Sequence, residues 1–459
     1  MSKLEVDKID PQSGTDLELG SSGDTITIPS GATLDASNAT TTLPSNVVTT
    51  DGTQTLTNKS IAATQLTGTV ATSNLGTGTA DATTFLRGDQ TYASATPAAG
   101  SITTTQLAYN PNSFRNIIIN GDMNIAQRGT SQAGISSTGY YTVDRWNFVD
   151  SNLGTFTMSQ DTDVPTGQGF ATSLKIDCTT ADASPSSADY LFLQTKFEGQ
   201  NLQYLKKGTA NAESLTLSFW VKSVKTGTYI VQIEDVDNSS RFISKSYTID
   251  SASTWEKKTI TFAGDTTGSL GNDNTSSLEL NFWLGAGTDR TSGTLQTSWG
   301  SYTASNVAVG QVNFADSTSN DFWITGVQLE AGTTASDFEF LPVDVNLQRC
   351  QRYFIKYTGI ASDQTNIGSG FFYSTGAGGF IVSLPNKMRS APTMSGSDLN
   401  VRYGTTSADV TVGGTFDNGE QIVSFNATAS SGTPFTIGQG GIARLKDLAT
   451  AFLQFDSEL

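Results

Sequence analysis

The chain has no histidine, only two cysteines, few charged residues and no long apolar run. Without His it lacks the usual general base and the commonest neutral metal ligand, so Ser-His-Asp and Cys-His nucleophiles are excluded within one chain. Cys178 and Cys350 are too few for a disulfide scaffold and are expected as free thiols. No apolar stretch reaches the ~20 residues that a membrane helix requires. The first residues, Met1-Ser2-Lys3-Leu4-Glu5-Val6-Asp7, lack the apolar core of a signal peptide. The expectation is a protein made in a cytoplasm, not exported by the usual route and not inserted in a membrane. Cations are scarce too: 26 Lys and Arg against 43 Asp and Glu leave a net charge of −17. That speaks against nucleic acid as a partner, because neutralising phosphates needs Lys and Arg.

What is present is β-branched and turn-forming. Gly, Thr and Ser dominate over helix formers, which predicts an all-β protein with many short strands. At 459 residues the chain has room for two or three domains. Residues 1–111 carry single aliphatics, among them Leu34, Leu56, Ile61, Leu66, Val70 and Leu75, spaced by Thr, Ser, Asn and Gly. One such chain cannot bury enough apolar surface to offset its conformational entropy. It is either a disordered linker or one of three copies that wrap together and share those aliphatics on an axis, which also removes exposed strand edges. There is no Gly-X-Y repeat and no sustained heptad, so collagen and a coiled-coil shaft are set aside. The segment is expected to be elongated, holding the rest of the chain away from something.

Aromatic mass begins after a hinge, Asn116-Ile117-Ile118-Ile119-Asn120-Gly121-Asp122, and all six Trp follow it. An apolar run followed by Asn-Gly predicts a hairpin, with strand 117–119, a turn at 120–122 and a second strand ending at Gly129. Alternating strands are expected at 140–148 (with a register shift), 215–222, 229–233, 255–262, 278–284 and 321–330. Strands and turns over 112–343 read as a jelly-roll β-sandwich. Residues 344–459 open with a short helical turn and then carry more strands, which reads as a small β-sandwich at the tip. Its glycine runs at 376–379 and 438–441 lack the context of a phosphate loop and are expected as turns. Its loops 362–369, 405–409 and 429–436 are where contact with a partner would be expected.

No pair of residues stands out for catalysis. Glu234 and Asp235 are adjacent on a strand and point to opposite faces. Asp122, Asp144 and Glu330 show no loop spacing suited to Ca²⁺, so neither metal nor cofactor is expected. Exposed Trp beside amides would suit sugar stacking. Trp146, Trp220, Trp283 and Trp323 read as core or interface. Trp299 and Tyr302 sit in a polar loop, where a buried aromatic is less expected, and are the candidate ligand-binding residues.

Several phrases carry a resemblance. Leu4-Glu5-Val6-Asp7, Ser22-Gly23-Asp24-Thr25-Ile26-Thr27-Ile28-Pro29-Ser30-Gly31 and Asp51-Gly52-Thr53-Gln54-Thr55-Leu56-Thr57-Asn58-Lys59-Ser60-Ile61 are similar to segments of tail-fibre proteins of marine bacteriophages. Thr84-Phe85-Leu86-Arg87-Gly88-Asp89-Gln90-Thr91-Tyr92 resembles another fibre repeat, with Gln and Tyr where that repeat usually has Gly and Trp. The hinge, Asp144-Arg145-Trp146, Ser218-Phe219-Trp220-Val221-Lys222 and Val327-Gln328-Leu329-Glu330-Ala331-Gly332 together resemble the jelly-roll domain of phage tail fibres, similar in pattern to carbohydrate-binding modules. The resemblance implies a homotrimeric fibre of the virion tail. Its N-terminus would dock on a tail adaptor or nozzle protein, and its distal domains would bind a host surface glycan or other receptor without catalysis. A polysaccharide depolymerase tailspike, or a virion decoration or head appendage with no receptor role, are the alternatives.

Overall fold

The computed structural model describes residues 21–35, 40, 84–86, 92–94, 114–430 and 435–459. The chain divides into two compact units, Met1–Ala95 and Thr96–Leu459. In the first, β1 (Thr84–Leu86) pairs antiparallel with β2 (Tyr92–Ser94), Leu86 opposite Tyr92. Ile26, Ile28 and Leu34 are exposed in the single chain. The other aliphatics on which three copies would wrap lie outside the described residues.

The second unit opens with a two-sheet sandwich. Its strands are β3 (Ser131–Ile135), β4 (Gly139–Tyr140), β5 (Asn147–Ser151), β6 (Thr155–Asp161), β7 (Ser173–Thr180) and β8 (Tyr190–Glu198). They continue with β9 (Leu215–Ser223), β10 (Gly227–Asp235), β11 (Arg241–Ile249), β12 (Glu256–Phe262), β13 (Ser276–Ala286) and β14 (Asp321–Ala331). The first sheet has the order β11-β10-β13-β8-β5-β4, the second β12-β9-β14-β7-β6-β3. Alternation explains the facing: Leu215, Leu217, Phe219 and Val221 of β9 and Leu278, Leu280, Phe282 and Leu284 of β13 all enter one core. Each such side chain contributes about 1.5–3 kcal/mol on burial, so this half has an ample core of its own.

The expected hairpin at the hinge does not form. Residues 115–120 have no strand partner of their own, and Asn120 and Met123 take positive φ of 60° and 59°. The backbone pairs instead with β14, more than two hundred residues downstream. Ile117 N–H donates to the Leu329 carbonyl at 2.9 Å, and Val327 N–H to the Gly121 carbonyl at 2.9 Å. The Asn116 side-chain oxygen accepts from the N–H groups of Ile118 (3.0 Å) and Leu329 (3.1 Å). The register of β14 shifts between Thr325 and Gln328, and the hinge docks at that bulge. A Cβ on Gly121 would stand 2.0 Å from the Val327 carbonyl oxygen, so only glycine fits. The strand expected over 140–148 is likewise interrupted, because Arg145 adopts φ 74° between β4 and β5.

After β14 the nine-residue helix α2 (Val343–Gln351) follows; α1 is the single turn Thr288–Thr291. Then come β15 (Phe354–Thr358), β16 (Thr365–Phe372), β17 (Ala377–Ser383), β18 (Thr393–Ser397) and β19 (Leu399–Tyr403). The last are β20 (Thr406–Asn418), β21 (Ile422–Ala429), β22 (Gly440–Leu445) and β23 (Phe452–Asp456). This part is all-β as expected, but its strands do not face each other as two sheets. Six close into a barrel, β16-β17-β21-β20-β19-β22, beside a three-stranded sheet, β15-β23-β18. Closure pairs both edges. Of the glycine runs expected as turns, Gly376 and Gly438 lie at a bend and a turn, whereas Gly378 and Gly379 lie in β17 and Gly440 and Gly441 in β22. A Cβ on Gly370 of β16 would meet the Gly379 carbonyl oxygen at 1.8 Å. The two thiols, Cys178 and Cys350, are free and buried.

Candidate functional site

The outward face of the first sheet is unusually polar at its centre. β8 is central in that sheet and sends Leu191, Leu193 and Phe197 inward, leaving Tyr190, Phe192, Gln194 and Lys196 outward. Across the strands the register sets Asn147 beside Gln194, Gln194 beside Asn281, and Asn281 beside Gln232. The four amides form a polarised ladder. Asn147 Nδ2 donates to Gln194 Oε1 (3.1 Å), Gln194 Nε2 to Asn281 Oδ1 (3.0 Å), and Asn281 Nδ2 to Gln232 Oε1 (3.3 Å). Gln232 Nε2 then donates to Glu234 Oε2 at 3.3 Å. Every link runs the same way, so the dipoles reinforce one another. At its start, the buried Asn147 Oδ1 has no hydrogen-bond partner among the described residues.

Aromatic rings wall one end of the ladder. The Trp283 ring lies 4.8 Å from Phe192, and Tyr190 stacks on Phe192 at 5.7 Å. Trp283 Nε1 donates to Gln232 Oε1 at 3.1 Å. The guanidinium of Arg290 stands 4.4 Å over the Tyr190 ring and donates to the Tyr302 hydroxyl at 3.3 Å. The 288–313 connection is seated on the sheet by a small apolar cluster, Ile230, Phe242, Trp283, Val307 and Ala308. Rings, ladder and connection enclose a cavity of about 270 Å³, open to solvent and lined in part by Gln232, Glu234, Asn281, Trp283, Arg290 and Tyr302. Burial raises the Glu234 carboxyl above its ordinary range; Ser240 opposes this by a hydrogen bond, and Glu279 adds to it. Glu279 lies directly across from Glu234 in the sheet register, held by Lys196 (3.4 Å) and Gln194 (2.9 Å).

The two residues chosen from the sequence separate. Tyr302 lines the cavity and is 43% exposed. Trp299 is half-buried and turned elsewhere, its Nε1 donating to the Ala263 carbonyl at 2.7 Å. Trp283, read as core or interface, is buried yet lines the cavity from the sheet's outer side. Trp146 is fully buried. Trp323 donates to Asp161 at 3.1 Å beneath Lys222, on the opposite sheet. Asp122, Asp144 and Glu330 have partners of their own: Asn346, Gln127 and Ser336. Among the described residues no group of three or more Cys, Asp or Glu is placed to share one ion. Of the stretches named for contact with a partner, 365–369 belongs to β16 and 406–409 to β20, so they are barrel wall rather than loop. The ladder was missed, although a signal existed: in Leu193-Gln194-Thr195, Val231-Gln232-Ile233 and Leu280-Asn281-Phe282 an amide sits mid-strand in an apolar run.

No family model matches the chain, and no curated protein matches it in sequence. Solved structures that match include the enzymatically active domain of bacteriophage CBA120 tailspike protein 4, at 14% identity and a TM-score of 0.25, over 47% of this chain and 21% of that one. The C-terminal family 22 carbohydrate-binding module of a Clostridium thermocellum xylanase is similar at 9% identity and 0.26, over 49% of this chain and 99% of that one. A family 11 carbohydrate-binding module from Clostridium thermocellum, in complex with a β-1,3-1,4-mixed-linked tetrasaccharide, is similar at 11% identity and 0.23, over 45% and 98%.

Proposed function

We propose that this chain is an adhesion protein that binds glycan, without cleaving it, in the groove on the outer face of the first sheet. The observation that supports it is the pairing of the amide ladder with the Tyr190–Phe192–Trp283 wall in one open cavity. Sugars need both: directional donors and acceptors for hydroxyls, and an aromatic surface for the apolar ring face. Trp283→Ala and Tyr302→Ala are expected to weaken glycan binding on the order of tenfold or more each, with unchanged circular dichroism. Calorimetric titration with glycans selected from an array checks this; binding equal to wild type in both variants counts against the groove. The second reading, a depolymerase, is favoured by Glu234 and Glu279 meeting across two strands. New reducing ends in the same incubations, abolished by Glu279→Gln, would establish it in place of adhesion.

The finer reading is a homotrimeric tail fibre of a virion, docked through residues 1–111. Its support is the series of fibre-like phrases and the low charge density of a chain suited to repeated polar contacts. The expected mass by light scattering is three times 48.4 kDa. A monomer at micromolar concentration counts against it. A trimeric fibre raises avidity without tight single sites.

A further inference from the structure

β8 leads away from the groove to a second cavity. Its outward positions pass from Tyr190 and Phe192 through Gln194 to Lys196. Past Lys196, the strand end, the hinge and α2 enclose about 400 Å³. Four cations line it, Arg145, Lys196, Arg349 and Arg352, against one carboxylate, Glu198. In a chain of net charge −17 this is a local reversal of sign.

Much of that positive charge is committed. Arg352 clamps Glu198 by two bonds of 2.6 Å each, Lys196 stands 3.4 Å from Glu279, and Arg145 pairs with Glu458. Two donors remain. Arg349 makes no ion pair or hydrogen bond among the described residues. Arg145 is 1% exposed, and its Nε is buried without a partner among the described residues. An orphaned buried donor carries a desolvation cost that a bound acceptor would relieve. Burial lowers the pKa of Arg349 and the nearby Glu339 carboxylate only partly opposes this, so an anion brought beside it would add to that compensation. The rest of the wall includes the rings of Tyr204 (49% exposed) and Phe114 and the amide of Asn201.

We propose that this cavity binds an acidic sugar residue by its carboxylate, Arg349 and the Nε of Arg145 donating to the carboxylate and Tyr204 facing the ring. Guanidinium groups match a carboxylate's geometry, and charge-assisted hydrogen bonds are the stronger kind. The site is separate from the groove, and its test distinguishes the two. The full chain is titrated with oligomers of glucuronate, galacturonate and mannuronate, with their methyl esters, and with a sulfated trisaccharide. At least one uronate is expected to bind about tenfold or more tighter than its ester, and to weaken as salt is raised. Arg349→Gln should remove that preference with its melting temperature unchanged, Arg349→Lys should keep part of it, and Trp283→Ala should leave it intact. Equal binding of acid and ester, failure of every uronate, or wild-type selectivity in Arg349→Gln would overturn the proposal. Sulfated sugar binding as well as uronate would overturn its carboxylate preference.

Discussion

Trp146→Ala is expected to destabilise the second unit by about 3–5 kcal/mol, the range for truncating a buried aromatic. Trp146 is fully buried, and its ring lies 6.2 Å from Phe282 on the facing core. It also has a polar role. Its Nε1 donates to the Asn120 carbonyl at 3.1 Å, at the residue where the hinge turns through positive φ. Asn120 in turn donates to the carbonyls of Ile125 (2.9 Å) and Asp144 (3.0 Å) and accepts from Ile125 N–H (2.9 Å). Removing the indole therefore opens a cavity and strips a partner from the carbonyl that shapes the hinge. Trp146→Phe separates the effects: it keeps most of the packing and loses the bond, and should cost less than Trp146→Ala. Denaturant unfolding of both variants checks the order. A loss under about 1 kcal/mol for Trp146→Ala would show that the hinge is held by its β14 pairing alone.

Alternation made the sandwich legible. In β9 and β13 four apolar residues at period two leave little choice of facing, and both strands form where the pattern puts them. The hinge was not legible, for a physical reason. Its apolar run and Asn-Gly satisfy every local condition for a hairpin, but its backbone partners lie on β14, and nothing local announces the bulge that receives it. Barrel closure was hidden similarly, since glycine runs look alike whether they turn a chain or let two strands crowd. In the groove, a polar loop with two aromatics drew attention to Trp299 and Tyr302, and only the latter lines the cavity. Which indole finds a carbonyl, as Trp299 does at Ala263, depends on a strand end 36 residues away. The hinge cations Arg115 and Arg128 lie 3.6 Å from Glu330 and 3.0 Å from Asp456, as chain-fixing contacts.

Replacing Glu458 by Ala should have the other large effect, because this carboxylate joins the sandwich to the C-terminal part, next to its three-stranded sheet. Glu458 follows β23, yet it pairs with Arg145 and lies 3.3 Å from Arg128, both from the sandwich. Arg145 is all but inaccessible, its guanidinium 3.5 Å over the Tyr353 ring, while that of Arg128 lies 3.6 Å over Phe354. Breaking a buried pair from one side leaves an uncompensated charge, at about 3–5 kcal/mol. Arg352 and Glu198 join the parts with the polarity reversed, and Arg389 donates to the carbonyls of Asn274 (3.1 Å) and Glu458 (2.9 Å). Opposed pairs of this kind fix one relative placement of the two parts, and the expectation is that wild type unfolds in a single calorimetric transition. Glu458→Ala should split it in two, with the lower midpoint belonging to the C-terminal part, whose three-stranded sheet and barrel share one core. The double replacement Arg145→Met with Glu458→Leu removes both charges at once and should recover most of the loss, since the orphaned guanidinium is then absent. If Glu458→Ala keeps one transition within about 1 kcal/mol of wild type, the join rests on Arg352–Glu198 and the apolar contacts, and the Arg145 pair is dispensable.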